Sequence, residues 1–226
     1  MIHRRHRVSP LLALLVLLYG TTLAPAPAGA EWSSTIYLGY SVTADAPYIV
    51  NGAPLPPSLV CISQCSSAKS AVGGVRVGYW LEGLPWLGFA GDVSAFVSGW
   101  GIESPYEVTA FPVTPLVLLR LPLVKREGFE NGRVRPFAAL GPSLLVSTAA
   151  VTSGWAILGN THSADTITAD FGLDARLGIE FLPADWFGVA IEYRYFWSEP
   201  TWTIEGQTIE SEISANQLSL GLVAHY

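Results

Sequence analysis

From residue 34 onward the chain alternates. Ile36, Leu38, Tyr40 and Val42 fall on one side of an extended segment, with Tyr37, Gly39 and Ser41 on the other. Side chains on a strand switch faces with a period of two, so this is a two-faced strand. The pattern returns in about eight segments: residues 34–43, 70–82, 87–100, 109–123, 133–147, 170–182, 187–197 and 216–226. In the second, Val75, Val77, Tyr79 and Leu81 oppose Gly74, Arg76, Gly78, Trp80 and Glu82. In the third, Asp92, Ser94, Phe96 and Ser98 share a face. The sixth sets Phe171, Leu173, Ala175, Leu177, Ile179 and Phe181 against Asp170, Gly172, Asp174, Arg176, Gly178 and Glu180. The seventh sets Val189, Ile191, Tyr193, Tyr195 and Trp197 against Gly188, Ala190, Glu192, Arg194 and Phe196.

The fourth and fifth segments carry Pro112, Pro115, Pro122 and Pro142 in or beside them. Proline cannot donate to a sheet ladder, which predicts bulges or a shortened strand there. The connections also alternate. Joins after the second, fourth and sixth segments are short, as in Gly83-Leu84-Pro85-Trp86, residues 125–132 and Pro183-Ala184-Asp185. Those around 44–69, 101–108, 149–168 and 198–212 are mostly longer. Each segment has the roughly ten residues of a tilted membrane strand, and short turns on one side with long loops on the other suit a barrel in an outer membrane.

Alternation alone does not choose the lipid face, because a soluble barrel has the same period with the sign reversed. Three features choose. The uncharged faces hold the large aromatics, with Tyr193, Tyr195 and Trp197 placed for an interfacial girdle. The charged faces hold Gly172, Gly178, Gly188 and Gly221, which leave room for long side chains in a narrow lumen. The last strand also carries an export pattern, described below. Arg turned to lipid near the midplane would cost about 2–4 kcal/mol. The inward charges are then Arg76, Glu82, Asp92, Arg120, Asp174, Arg176, Glu180, Glu192 and Arg194. An eight-strand interior is just wide enough for side chains, so an ion-pair network filling it is expected, with cross-strand pairs such as Arg176 or Arg194 with Glu180 or Glu192.

Residues 1–30 read as a secretory leader: basic Arg4, Arg5 and Arg7, a short apolar run over residues 11–18, and an Ala28-Gly29-Ala30 cleavage site. Residues 31–226 form one domain. Removing the leader takes three of the 12 basic residues and none of the 18 acidic ones, leaving a formal charge of −9. That balance argues against a nucleic-acid partner, which would need a basic face.

The chain resembles the small outer-membrane β-barrel superfamily, with its OmpA-like transmembrane domains and OmpX-like barrels. The resemblance is carried by Phe171-Gly-Leu-Asp-Ala-Arg-Leu-Gly-Ile-Glu180, Glu192-Tyr-Arg-Tyr195, Arg133-Val-Arg-Pro-Phe-Ala-Ala-Leu-Gly141 and the closing Ser219-Leu-Gly-Leu-Val-Ala-His-Tyr226. In the last, Ser219, Gly221, Ala224 and Tyr226 occupy the places of the C-terminal sorting signal of such proteins, Ala224 being small for its position. The resemblance implies an all-β, eight-stranded antiparallel up-and-down transmembrane barrel in a Gram-negative outer membrane. It also implies outer-membrane lipid as surroundings and the barrel-assembly machinery as partner during insertion.

Little else suggests chemistry. Cys61 and Cys65 share the first long loop, and export favours a disulfide between them. His162, Ser163 and Asp165 lack the braced nucleophile and oxyanion hole of a serine enzyme. His225 is expected on the lumen side near the periplasmic mouth. No cofactor, metal or catalytic site is expected. The reading is a monomeric, non-enzymatic barrel serving membrane integrity or surface interaction through its external loops, with a surface ligand the sequence does not name. Its alternatives are a narrow channel for ions or small solutes and a lipid-modifying enzyme.

Overall fold

The computed structural model describes residues 31–44, 49–54, 68–98, 106–125, 127, 129, 131–151, 165–204 and 206–226. Its strands are β1 (Glu31–Thr43), β2 (Ile49–Val50), β3 (Ala53–Pro54), β4 (Ala68–Leu81), β5 (Leu84–Ser98), β6 (Tyr106–Arg120), β7 (Val134–Val151), β8 (Asp165–Ala184), β9 (Phe187–Ser198), β10 (Thr201–Ile204), β11 (Gln207–Glu210) and β12 (Ile213–His225). The eight long ones close into an antiparallel barrel in the order β1-β12-β9-β8-β7-β6-β5-β4. β1 closes the ring by pairing with β12 on one side, Leu38 opposite Leu220, and with β4 on the other, Ile36 opposite Val75. Closure leaves no edge, which a sheet in lipid requires.

The period-two pattern sorts the faces. Leu38 and Phe171 stand outward at 69% and 81% exposure, whereas Arg176 and Asp174 stand inward at 2% and 0%. Tyr193, Tyr195 and Trp197 lie on the outer face towards the long-loop end. Leu84, Trp86, Trp186 and Tyr226 are exposed at the short-turn end. Aromatic rims at both ends of an apolar band fit a membrane barrel.

The prolines do not shorten or bulge their strands as expected. β5 and β6 keep one register on both sides of the irregularity, from Leu87 opposite Leu119 to Ser98 opposite Val108. β6 and β7 do the same, from Arg120 opposite Phe137 to Tyr106 opposite Val151. The pairing lapses between Val113–Leu144 and Val117–Leu140, where Pro115 and Pro142 lack the N–H that a ladder needs. Thr114 and Ser143 bridge this gap inside the barrel, Thr114 Oγ1 donating to Ser143 Oγ at 2.8 Å. Close approach replaces a bulge. A β-carbon at Gly141 would collide with the Pro115 carbonyl oxygen, so glycine lets the two strands meet.

The register does shift between Trp80 and Leu81, so that Leu81 pairs with Leu84 and the turn tightens to Glu82 and Gly83. This corrects the expectation for Glu82. The bulge breaks the alternation, and Glu82 is exposed in the turn rather than inside the lumen.

The two long connections after β1 and β9 contribute a small sheet of order β10-β11-β2-β3. Trp202 and Ile209 point from it into the barrel and are 1% exposed. They join Val72, Phe96, Val108, Ala110, Leu145 and Phe196 in an apolar cluster filling the long-loop end of the lumen. Residues 1–30, Cys61, Cys65, His162 and Ser163 lie outside the described residues, as does the side chain of Asp165.

Candidate functional site

The lumen below the apolar cluster holds an ionic core. Arg176 of β8 donates through Nη2 and Nη1 to Asp92 at 2.7 and 2.9 Å. It also reaches Asp174 through Nη2 at 2.7 Å and Nε at 2.9 Å, and Glu192 at 3.2 Å. Arg76 holds the other oxygen of Glu192 at 2.5 Å. Arg194 Nη2 lies 2.6 Å from Asp174, and its Nη1 donates to Ser94 at 2.7 Å. Tyr37 donates to Asp92 at 2.9 Å, and Thr114 Oγ1 lies 3.2 Å from Asp174. Three guanidinium groups therefore face three carboxylates. Each ion is out of water, and the charge-assisted bonds among the six offset that desolvation.

Glycine makes this packing possible. A β-carbon at Gly74 would collide with the Tyr37 hydroxyl, one at Gly178 with the Phe137 ring, and one at Gly188 with Glu180 Oε1. The small residues on the charged faces are the space into which the long ones fold.

A second ionic cluster closes the short-turn end, and Glu31 is its hub. Arg120 donates to both Glu31 oxygens at 2.8 and 2.7 Å, Arg135 at 2.6 Å and Asn131 at 3.0 Å. His225 Nδ1 lies 2.9 Å from Glu31, and its Nε2 lies 2.6 Å from Glu180. Arg120 also donates to the Pro85 carbonyl at 2.7 Å and stacks over the Trp80 ring, 4.1 Å from its centroid. β7 is the strand farthest from β1 around the ring, so these bonds cross the mouth. A cavity of about 30 Å³ separates the clusters, lined in part by Ser33, Thr35, Arg76 and Glu180. That suffices for about one water.

The structure thus brings Arg76, Asp92, Asp174, Arg176, Glu192 and Arg194 together, and places Arg120 and Glu180 in the second cluster. Glu180 holds His225 rather than an arginine of β8 or β9, and Arg194 takes Asp174 rather than Glu192. Glu31 and Arg135 were not among the expected inward charges. Both keep the inward phase of their strands, Glu31 in step with Ser33 and Thr35, so extending the alternation past residue 34 would have found the first. His225 lies at the short-turn mouth, buried at 9% exposure. Ser219 and Gly221 face inward, while Ala224 and Tyr226 face out, with the Tyr226 and Ser34 hydroxyls 2.6 Å apart.

Among the described residues the two clusters consist of arginines, carboxylates, His225 and hydrogen-bonding hydroxyl and amide groups. Opposite charges face one another in a packed interior, where hydrogen-bonded ion pairs stiffen the wall.

The family model for the outer membrane protein beta-barrel domain matches residues 12–225. No curated protein matches the chain. Among solved structures, Neisserial surface protein A is similar over 87% of this chain and 98% of its own, at 16% identity and a TM-score of 0.53. OprG from Pseudomonas aeruginosa is similar over 86% and 95%, at 11% identity and a TM-score of 0.54. At these identities the likeness is one of fold.

Proposed function

Since the chain belongs to the outer membrane protein beta-barrel domain family, we propose that it works in the bacterial outer membrane as a closed, non-enzymatic monomer that braces the bilayer and meets partners through its long-loop end. The observation that carries this reading is the filled lumen. Trp202 and Ile209 stop the long-loop end, Arg176 and its acidic partners fill the middle, and Glu31 ties the short-turn mouth across. A conducting pore needs a wet path, and each of these layers interrupts one.

In this reading residues 1–30 are a leader removed after Ala30, and the short turns face the periplasm. The barrel-assembly machinery recognises the strand carrying Ser219, Gly221, Ala224 and Tyr226. Cys61 and Cys65 brace the first long loop as a disulfide. The loop sheet β10-β11-β2-β3 then faces outward, with Thr201, Thr203 and Glu210 exposed on it.

The test is conductance of the refolded barrel in planar bilayers, together with the mass of lipid A from cells expressing it. A flat baseline, unchanged in Arg194→Ala, and an unaltered lipid A mass are expected. Stepwise currents that grow in Arg194→Ala would replace this reading with a narrow channel. A shifted lipid A mass would replace it with a lipid-modifying enzyme.

A further inference from the structure

The apolar stripe on the outside of β6 does not stop where the strand does. Val117 and Leu119 face out, and Leu121 and Leu123 stay exposed in the same phase past the strand's end at Arg120. Val124 follows, also exposed, with a φ of 55°, a left-handed bend that a branched side chain rarely adopts. Such strain persists where the surroundings hold it. Here the Arg133 N–H donates to the carbonyls of Leu123 and Val124 at 3.0 and 3.3 Å. A β-carbon at Gly132 would strike the Leu123 backbone, so glycine lets the two arms of the turn meet. Arg133 is thereby fixed beside the stripe. It differs from the other arginines. Arg76, Arg120, Arg135, Arg176 and Arg194 are buried and meet carboxylates, whereas Arg133 meets none among the described residues. Its Nε donates to the Leu182 carbonyl at 3.1 Å. Its guanidinium carbon lies 4.9 Å from the centre of the Phe181 ring and 5.7 Å from that of Phe129. Phe181 is exposed on the outer wall, so the stacked cation stands on the lipid side, at the end where Trp186 and Tyr226 are exposed.

We propose that Arg133 is a lipid headgroup site: it holds the phosphodiester of a glycerophospholipid in the leaflet at the short-turn end, and Leu121, Leu123 and Phe181 lie along the acyl chains. The site rests on the membrane reading of the barrel. One backbone bond and two ring faces set the plane of the guanidinium, and its Nη1 and Nη2 groups have no acceptor among the described residues. That fork matches two phosphate oxygens at once. An arginine at a membrane interface lays its stem on apolar surface and sets its charge at headgroup level, as this one does on the wall. The flanks are apolar and continuous with the lipid-facing stripe, which fits a ligand with chains as well as charge. The other ionised residues of the turn balance in sequence, Lys125 and Arg126 against Glu127 and Glu130. Recognition is therefore of the phosphate itself and not of a headgroup's net charge.

Native mass spectrometry of the refolded barrel in detergent reads the site, with phosphatidylglycerol or a diacylglycerol of the same chains added. Retention of the phospholipid and not of the diacylglycerol is expected. Arg133→Met should bind phosphatidylglycerol about tenfold more weakly, the least that a charge-assisted hydrogen bond is worth. Lys69→Met is the control, since Lys69 is an exposed cation at the long-loop end of β4, and its affinity should not change. Equal retention of the two lipids, or an equal loss in the two variants, would overturn the site and leave apolar surface or bulk charge as the cause of binding. The comparison of the two lipids on the unaltered barrel decides the case should Arg133→Met not fold. Insertion into liposomes is measured alongside. A barrel that inserts but shows no preference for the phosphate rejects the site and keeps the membrane reading, whereas one that stays outside the liposomes rejects both.

Discussion

Arg176 and Arg194 stand directly opposite each other on β8 and β9, two like charges in register inside a lumen that excludes water. Directly opposed like charges destabilise a sheet unless something stands between them. Asp174 does so, within 2.7 Å of one and 2.6 Å of the other.

Asp174→Ala removes that mediator and leaves two guanidinium groups facing each other. Breaking a buried ion pair by deleting one partner costs about 3–5 kcal/mol. The folded, fast-migrating band in unboiled electrophoresis should be lost at lower urea, and the double variant Asp174→Ala, Arg194→Met should recover part of the loss.

Gly141→Ala places a methyl against the Pro115 carbonyl oxygen where β6 and β7 already lack ladder bonds. Forcing the strands apart costs about 1–3 kcal/mol. Gly91→Ala is the matched control, because a β-carbon there meets nothing within 4 Å. Urea titration of both variants in detergent micelles should move the first midpoint and leave the second in place.

Trp202→Ala empties the stopper. Burying a tryptophan and then deleting it costs about 3–5 kcal/mol. The loop sheet should become open to proteinase added to whole cells, while bilayer conductance stays at baseline, because the ionic core lies beneath. Current appearing in this variant would mean that the stopper alone had held the barrel shut.

Leu177 faces out at 62% exposure between Arg176 and Gly178, level with the ionic core. Leu177→Arg therefore puts a charge into hydrocarbon, at about 2–4 kcal/mol. Folding into liposomes should suffer by that amount. An unimpaired Leu177→Arg barrel would contradict the membrane polarity assigned to the wall.

Much of the fold was legible because one face of each strand is charged or small and the other greasy. Phe171 to Phe181 show this plainly, and the structure keeps their phase. Legibility failed where both faces are apolar. Residues 116–119 read Leu-Val-Leu-Leu, and nothing in that run separates inward Leu116 and Leu118 from outward Val117 and Leu119. The apolar filling of the long-loop end was hidden for the same reason. Trp202 and Ile209 reach it from connections whose pairing depends on tertiary contact. Prolines misled because their cost was assigned to strand length, whereas the structure meets it with Gly141 and the Thr114–Ser143 hydroxyls. Glu82 misled because a bulge two residues earlier shifts the phase. Ion-pair partners were the least legible part. Alternation says which charges point inward, but the reach of a guanidinium across the lumen decides whom each one meets.

The spokes that Glu31 sends to Arg120 and Arg135 have a bearing on how the wall is built. Those arginines belong to the middle of the chain, and their shared counter-ion sits on the first strand, across the diameter. A partly rolled sheet of β6, β7 and β8 sets Glu180 opposite Arg135 but lacks the one carboxylate that reaches both arginines. The shared bridge to Glu31 forms only when β1 swings round to meet β12, so ring closure adds ion pairs that no open curved fragment holds.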